Sequence, residues 1–329
     1  MDRCIVLTTI HPPSQAVRAW AALDGWRLVV AGDRKTPPNW QCPGGVFLSA
    51  TLQDSLGLRL SRVLPWNHYC RKMVGYLHAI REGAGIILDT DDDNTPKNHW
   101  RLPDFQVQCE VTPPDRGFVN VYGLFTTGTN IWPRGFPLNR IRHPEASLSA
   151  NDLARQPVSV GVWQGLADGD PDVDAIYRLT NNTPCYFDSR PPVVLARGSL
   201  CPFNSQNTAF RREVFPLLYL PAHVTFRFTD ILRGLVAQPI LWQAGFHLGF
   251  TGATVVQERN PHDYLQDFVS ELPCYLHAQD VPSIVQAAIS SDGSVSDNLW
   301  SAYGALRKEG LVPDEELIVL EAWLQDLNR

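Results

Sequence analysis

Apolar runs of strand length alternate with stretches of helical period through the N-terminal part of the chain. Cys4 to Thr9 predicts a first strand, Ser14 to Leu23 a helix with Pro12-Pro13-Ser14 as start signals, and Trp26 to Ala31 a second strand. That strand ends at Gly32-Asp33-Arg34-Lys35-Thr36-Pro37-Pro38, a turn-forming stretch. From Asn67 to Glu82, residues Tyr69, Met73, Tyr76, Leu77 and Ile80 share one helical face, Gly83 closes the helix, and Ile86 to Leu88 follows as a buried strand. Strands and helices in strict alternation imply parallel strands, so the expected fold class is α/β, a Rossmann-like sheet with helices on both faces.

Beyond Thr95 the pattern changes. Residues 95–159 are rich in Pro and Gly and predict short strands and loops. Val158 to Trp163 predicts another strand, and Asp170 before Pro171 an N-cap with proline in the first helical turn. Helices are expected over Phe226 to Gln238, over Asp297 to Glu309, and over Pro313 to Leu327, where Leu317, Leu320, Leu324 and Leu327 form one face.

Composition narrows the class. A chain of 329 residues, 44% hydrophobic and 19% charged, can bury a large core. A net charge of -6 without a basic stripe excludes a nucleic-acid partner. The apolar segment Ile5 to Ile10 is too short for the core of a signal peptide, and no apolar run reaches the length of a membrane span. Seven scattered cysteines lack any Cys-x-x-Cys pair. Together these features lead us to expect a cytoplasmic location, with peripheral contact to the inner face of a membrane left open.

The most informative segment for chemistry is Ile86-Ile-Leu-Asp-Thr-Asp-Asp-Asp-Asn94, an apolar strand that ends in four carboxylates. Unpaired and dry, they would repel strongly, so the cluster calls for a hard cation, Mn²⁺ or Mg²⁺, whose shell a diphosphate would complete. On an extended segment Asp91 and Asp93 face the same way and can share an ion, Asp92 faces away, and Asp89 is in register to accept from a ribose hydroxyl. The bland alternative is a solvated acidic turn.

Other candidates carry equally plain alternatives. Arg71 and Lys72 are either a wet helix face or the neutralising charge for a diphosphate. Asp33 and Lys35 form an ordinary turn or hold a base or ribose. Asp172 and Asp174 suit a helix N-terminus, where an acid gains roughly 0.3–1 kcal/mol, and otherwise suit sugar hydroxyls. Asp230, between two arginines, is a salt-bridge partner or a catalytic carboxylate. His262 caps a turn or completes the metal shell.

These motifs carry a resemblance. Gly32-Asp-Arg-Lys-Thr-Pro, Cys70-Arg-Lys-Met-Val-Gly-Tyr-Leu-His-Ala-Ile and Asp89-Thr-Asp-Asp-Asp-Asn resemble the STELLO-like glycosyltransferase family, related to UDP-arabinopyranose mutases, the reversibly glycosylated polypeptides. Trp163-Gln-Gly-Leu-Ala-Asp-Gly-Asp, Asn204-Ser-Gln-Asn, Phe228-Thr-Asp-Ile-Leu-Arg-Gly and Gln257-Glu-Arg-Asn-Pro-His-Asp-Tyr continue it in the same order. The resemblance implies a GT-A-like fold in which Asp91 and Asp93 hold a divalent ion on the donor diphosphate. It further implies that Thr8, Asp33, Lys35, Arg71 and Lys72 line the nucleotide site, with Asp230 where sugar and acceptor meet.

Residues 1–150 are then expected to bind the nucleotide sugar, 151–280 to form the acceptor-binding part of the same domain, and 281–329 to be a helical extension. The expected activity is metal-dependent transfer from a nucleoside-diphosphate sugar, a UDP-sugar by preference, to a hydroxyl of a glycan or glycolipid in cell-surface polysaccharide synthesis. A sugar-nucleotide mutase and a non-catalytic scaffold for glycan-synthesis enzymes are the alternatives.

Overall fold

A computed structural model describes residues 2–126, 130–181, 183–258 and 263–328. In chain order its elements begin with β1 (Asp2–Thr9), α1 (Gln15–Ala21), β2 (Arg27–Gly32), β3 (Gly45–Leu48), α2 (Ala50–Ser55), α3 (Arg59–Val63), α4 (Lys72–Arg81) and β4 (Ala84–Thr90). Short strands follow: β5 (Asn94–Pro96), β6 (Gln106–Val111) and β7 (Gly117–Phe118). Next come β8 (Ala154–Gly169), α5 (Ala175–Thr180), β9 (Val193–Val194), β10 (Ser199–Leu200) and β11 (Asn207–Arg211). The chain then continues through α6 (Thr229–Gln243), β12 (His247–Gln257), α7 (Tyr264–His277), α8 (Val281–Ala288), α9 (Val295–Lys308) and α10 (Asp314–Leu327).

The main sheet has ten strands in the order β3-β2-β1-β4-β11-β8-β6-β9-β12-β5, and β8 also pairs with β12. β1 is parallel to β2 and β4, and β3 is parallel to β2. β11 runs antiparallel to both β4 and β8, so β8 and its parallel partner β12 point the same way as β1 and β4. Five long or buried strands therefore bring their carboxyl ends to one edge of a mixed α/β sheet, as expected of a GT-A-like fold.

Alternation along β1 explains why both faces are covered. Cys4 and Val6 enter a core with Met73, Tyr76, Leu77 and the α6 residues Leu232 and Leu235, while Ile5 and Leu7 enter another with Val17, Trp20 and Trp163. All seven residues of β4 are buried. Gly75 lets α4 approach β1 closely: a Cβ there would sit 2.7 Å from Val6 Cγ1.

Two predicted helices differ in detail. Asp170 is not the N-cap of α5; that position is Asp174, whose carboxylate accepts from Tyr177 N, while Asp170 pairs with Arg178 at 2.6 Å. α6 runs through Pro239 to Gln243 instead of stopping at Gln238. Proline inside a helix costs about 3 kcal/mol, but Ile240 and Leu241 beyond it are fully buried, each contributing roughly 1.5–3 kcal/mol. Among the described residues no helix is long and apolar enough to cross a membrane. All seven cysteines are free and buried.

Candidate active site

The carboxyl edge of β1, β4, β8 and β12 borders a cleft of about 230 Å³ lined by Thr8, Asp91, Asp92, Asp93, Arg134, Asp172, Asn204, Gln206, Asp230 and Gln257, with Tyr69, Phe226 and Arg227 at one side. β4 delivers the acidic segment to it. The chain turns immediately after Thr90, with Asn94 N approaching Asp91 O at 3.5 Å, so the segment is not extended as alternation required. Asp92 consequently lines the same cleft as its neighbours. Its carboxylate accepts from Thr9 Oγ1, and its carbonyl from Ser14 Oγ at 2.5 Å. Asp93 accepts from Asn94 Nδ2 at 2.9 Å and from Gln257 Nε2 at 3.1 Å.

Beneath this turn lies a buried charge network. Lys72 Nζ donates to Asp89 Oδ1 at 2.8 Å, Asp91 Oδ1 at 2.7 Å and Thr90 O at 2.7 Å, and Arg233 takes the other Asp89 oxygen at 2.7 Å. Burial works against every charge here. It lowers the Lys72 ammonium, yet Asp89 and Asp91 outweigh it and leave the group above its usual range. Burial likewise raises Asp89, but Lys72 and Arg233 hold its carboxyl below the ordinary value. Asp91 keeps 32% of its side chain exposed. Burial pushes its carboxyl up to about 7, with Asp93 and Asp89 adding to the shift and Lys72 opposing it. Asp89 and Lys72 thus support the site from below: neither lines the cleft, which corrects the expectation that they touch ribose and diphosphate directly.

The facing wall centres on Arg134, which the sequence did not single out. Its guanidinium grips Asp172 with Nε at 2.8 Å and Nη2 at 2.7 Å, and Asp230 with Nη2 at 3.0 Å. Gly135, in the left-handed region at φ +81°, allows the segment to press against α6, since any Cβ there would collide with Ile231. Asn204 Nδ2 adds a 2.8 Å bond to Asp172, and Ser205 N a 3.2 Å bond to Asp230. Arg227 pairs with Glu271 at 2.7 Å and comes within 3.9 Å of Asp172. Two carboxylates so clamped are fixed hydrogen-bond acceptors.

Several predicted residues lie elsewhere. Arg71 is wholly buried, donating to Gln53 Oε1 and to Ser61 O and Leu64 O, and stacking 3.7 Å over Trp66. It braces the segment before α4 and does not line the cleft. Asp33 is also buried, capturing Asn67 N at 2.7 Å and His68 N at 3.0 Å, which stabilises the left-handed Asn67. Lys35 is exposed on that turn, outside the cleft. Asp174 serves the α5 cap and Trp132 Nε1 at 2.6 Å rather than any sugar. Thr8 does line the cleft, its hydroxyl donating to Ala31 O at 2.7 Å. His262 lies outside the described residues. Asn204, Gln206 and Gln257 belong to motifs visible in the sequence, although amides give no ionic signal to mark them.

The family of STELLO glycosyltransferases matches residues 227–329. "Probable glycosyltransferase STELLO1" and "Probable glycosyltransferase STELLO2" of Arabidopsis thaliana are 30% and 28% identical, each over 99% of this chain. The chain spans 44% of the length of these relatives. "Probable inactive UDP-arabinopyranose mutase 2" of Oryza sativa subsp. japonica is 25% identical over 72% of the chain and 68% of its own length. With similarity to both Arabidopsis proteins over 99% of its own length, and the family match over its last third, the chain is STELLO-like.

Proposed function

We propose that the chain transfers a sugar from a nucleoside diphosphate, UDP by preference, to a hydroxyl of a glycan or glycolipid acceptor, with Mn²⁺ or Mg²⁺ as cofactor. The observation that carries this reading is the cleft itself: Asp91 and Asp93 on one wall, and the carboxylates Asp172 and Asp230, oriented by Arg134, on the other. The donor set suits a hard ion. Among the described residues no group of three or more His, Cys, Asp or Glu side chains is arranged to hold a metal. Two carboxylates plus substrate phosphate is the manner in which Mg²⁺ is usually bound in nucleotide enzymes. Asp91 and Asp93 would hold the ion, which supplies charge stabilisation for a leaving diphosphate.

The chain's own groups then have distinct tasks. Lys72 fixes Asp91 from below. Asp172 and Asp230, held in place by the Arg134 guanidinium, accept hydrogen bonds from sugar hydroxyls and position the reacting groups. The biological role proposed with this reading is cell-surface polysaccharide synthesis.

Thermal unfolding with UDP and Mn²⁺ tests the proposal. A ligand at a hundred times its dissociation constant stabilises by about 2.7 kcal/mol. Wild type should gain such a shift, and Asp91→Asn and Asp93→Asn should lose it; a wild type unmoved by any nucleotide and metal would overturn the donor assignment. Sugar-nucleotide mutase activity is the competing reaction, although the relative that carries the name is described as probably inactive. Isomerisation of a UDP-sugar supplied alone, without nucleotide release, would decide for a mutase.

A further inference from the structure

Three buried amides, Asn204, Gln206 and Gln257, line the cleft between its two walls. Gln257 Nε2 donates to Asp93 Oδ2 at 3.1 Å, and Gln257 Oε1 accepts from Gln206 Nε2. Gln206 N donates to Asn204 Oδ1 at 2.9 Å, and Asn204 Nδ2 donates to Asp172 Oδ2 at 2.8 Å. Donors therefore run outward from Gln206 in both directions and end on one carboxylate in each wall. The backbone holds this chain in place: Gln206 O accepts from Thr90 Oγ1 at 2.7 Å, and Gln257, the last residue of β12, pairs in register with Asn94. Its polarity is fixed as well. A carboxylate can only accept, so turning the Gln257 amide over would set its oxygen against Asp93 and its NH2 against that of Gln206.

We propose that Gln257 and Gln206 are positioning residues for the divalent ion. Gln257 holds the Asp93 carboxylate in the orientation that meets the ion, and Gln206 holds the Gln257 amide the right way round. This role rests on Asp91 and Asp93 being the ion-binding pair, as proposed above. Asp93 stands in the turn after β4 and is only partly buried, so a carboxylate left to rotate there would lose side-chain freedom on binding an ion. Orienting it beforehand removes that cost. Lys72 does the same for Asp91, with a difference of kind: an ammonium offsets the charge it holds, whereas an amide orients a carboxylate without cancelling its charge. Partners that stand directly behind a metal ligand typically account for roughly 10–100-fold in metal affinity. Through Asn204 the same chain reaches Asp172, so residues 204–206 also set the spacing between the ion-binding wall and the wall held by Arg134.

Titration with Mn²⁺ followed by electron paramagnetic resonance, without UDP and at one fixed UDP concentration, tests this without any measurement of transfer. Gln257→Met and Gln206→Met keep the side-chain length and remove the amide, and each should weaken Mn²⁺ binding roughly tenfold. The double variant should bind no more weakly than Gln257→Met alone, because Gln206 acts through Gln257. Gln206→Met should also change the line shape of bound Mn²⁺, although Gln257 and Asp93 stand between its side chain and the ion. Cooperative melting of the ligand-free variants near the wild-type midpoint shows that a lost affinity is not a lost fold. Wild-type affinity and line shape in both single variants would overturn the inference and leave the ion assignment standing, as would losses that multiply in the double variant. A wild type that takes up no Mn²⁺ under either condition, or an Asp93→Asn variant that binds it like wild type, would overturn the ion assignment and this role with it.

Discussion

Arg134 is the residue on which the facing wall of the cleft depends. It is buried, and so are the two carboxylates it joins, one from the loop after β8 and one from the first turn of α6. Removing one partner of a buried ion pair costs about 3–5 kcal/mol, because the remaining charge is left without compensation. Arg134→Met should lower stability by that order in chemical denaturation. Arg134→Lys should recover only part of the loss, since an ammonium cannot present the flat fork that bridges two carboxylates. Nothing in the local sequence announced this role. Trp132-Pro-Arg-Gly-Phe136 reads as a loop with an ordinary cation, and its partners lie 38 and 96 positions away. The place of Asp91 and Asp93 in the cleft was legible because an apolar strand that breaks into acids marks a strand end at the carboxyl edge of the sheet. Arg71, Lys72 and Asp89 were visible as charges, but charge alone does not tell a ligand-facing side chain from one neutralised inside the protein. Their burial between α4, β4 and α6 makes that distinction.

At the scale of elements, β1, β2, β4 and the helix before β4 could be read from period and punctuation, for each carries its own start, stop and apolar face. β3, α2 and α3 were missed because each is only four to six residues long, too short for a period to establish itself. α7 was missed for a different reason: its most regular apolar positions point to water, and Pro273 interrupts it. The start of α5 illustrates how tertiary pairing overrides a cap signal. Asp170-Pro171 has the right chemistry, but Arg178 and Arg134 claim Asp170 and Asp172, and the helix begins after Asp174. Burial pushes the Asp174 carboxyl up to about 6, against the opposing bonds from Trp132 and Tyr177. A folded-state value above the unfolded one means that the native protein holds this proton more tightly. The associated stability is present below about pH 4 and is lost as pH rises towards 6 and beyond. The stability of wild type relative to Asp174→Asn, measured by urea denaturation, should therefore decline by roughly 2 kcal/mol between pH 4 and pH 7. A difference that stays flat across that range would mean that the carboxyl titrates as it does in the unfolded chain.

On the scale of the whole molecule, the C-terminal helices complete the core on the face of the sheet covered by α4 and α6. Val319, Leu320 and Trp323 of α10 and Leu299, Ala302, Tyr303 and Leu306 of α9 belong to the same apolar cluster as α4 and α6. Polar contacts fasten them at three separate places. Glu316 is buried and accepts from Ala222 N at 3.0 Å and His223 N at 2.7 Å, with Tyr219 Oη also donating to it. Trp323 Nε1 donates to Pro216 O at 3.0 Å, and Asp326 receives Leu60 N at 2.8 Å, tying α10 to the segment that leads into α4. The chain is thus closed from its last helix back to the supports of Lys72 and Asp91. Each large buried side chain contributes roughly 1.5–3 kcal/mol, so the group is comparable to the roughly 5–15 kcal/mol by which a typical native protein is stable. Removing residues 281–329 should consequently abolish cooperative unfolding in circular dichroism and calorimetry, along with any thermal shift on adding UDP and Mn²⁺. A truncated chain that still melted in one sharp transition would show the helices to be an appendage. Glu316→Ala in the full chain separates anchoring from bulk: it leaves the Ala222 and His223 amides without an acceptor, at about 1–3 kcal/mol for each buried group left unsatisfied, while the Tyr219 hydroxyl keeps the residue 316 carbonyl at 3.2 Å. Its melting transition should move down in temperature and remain cooperative.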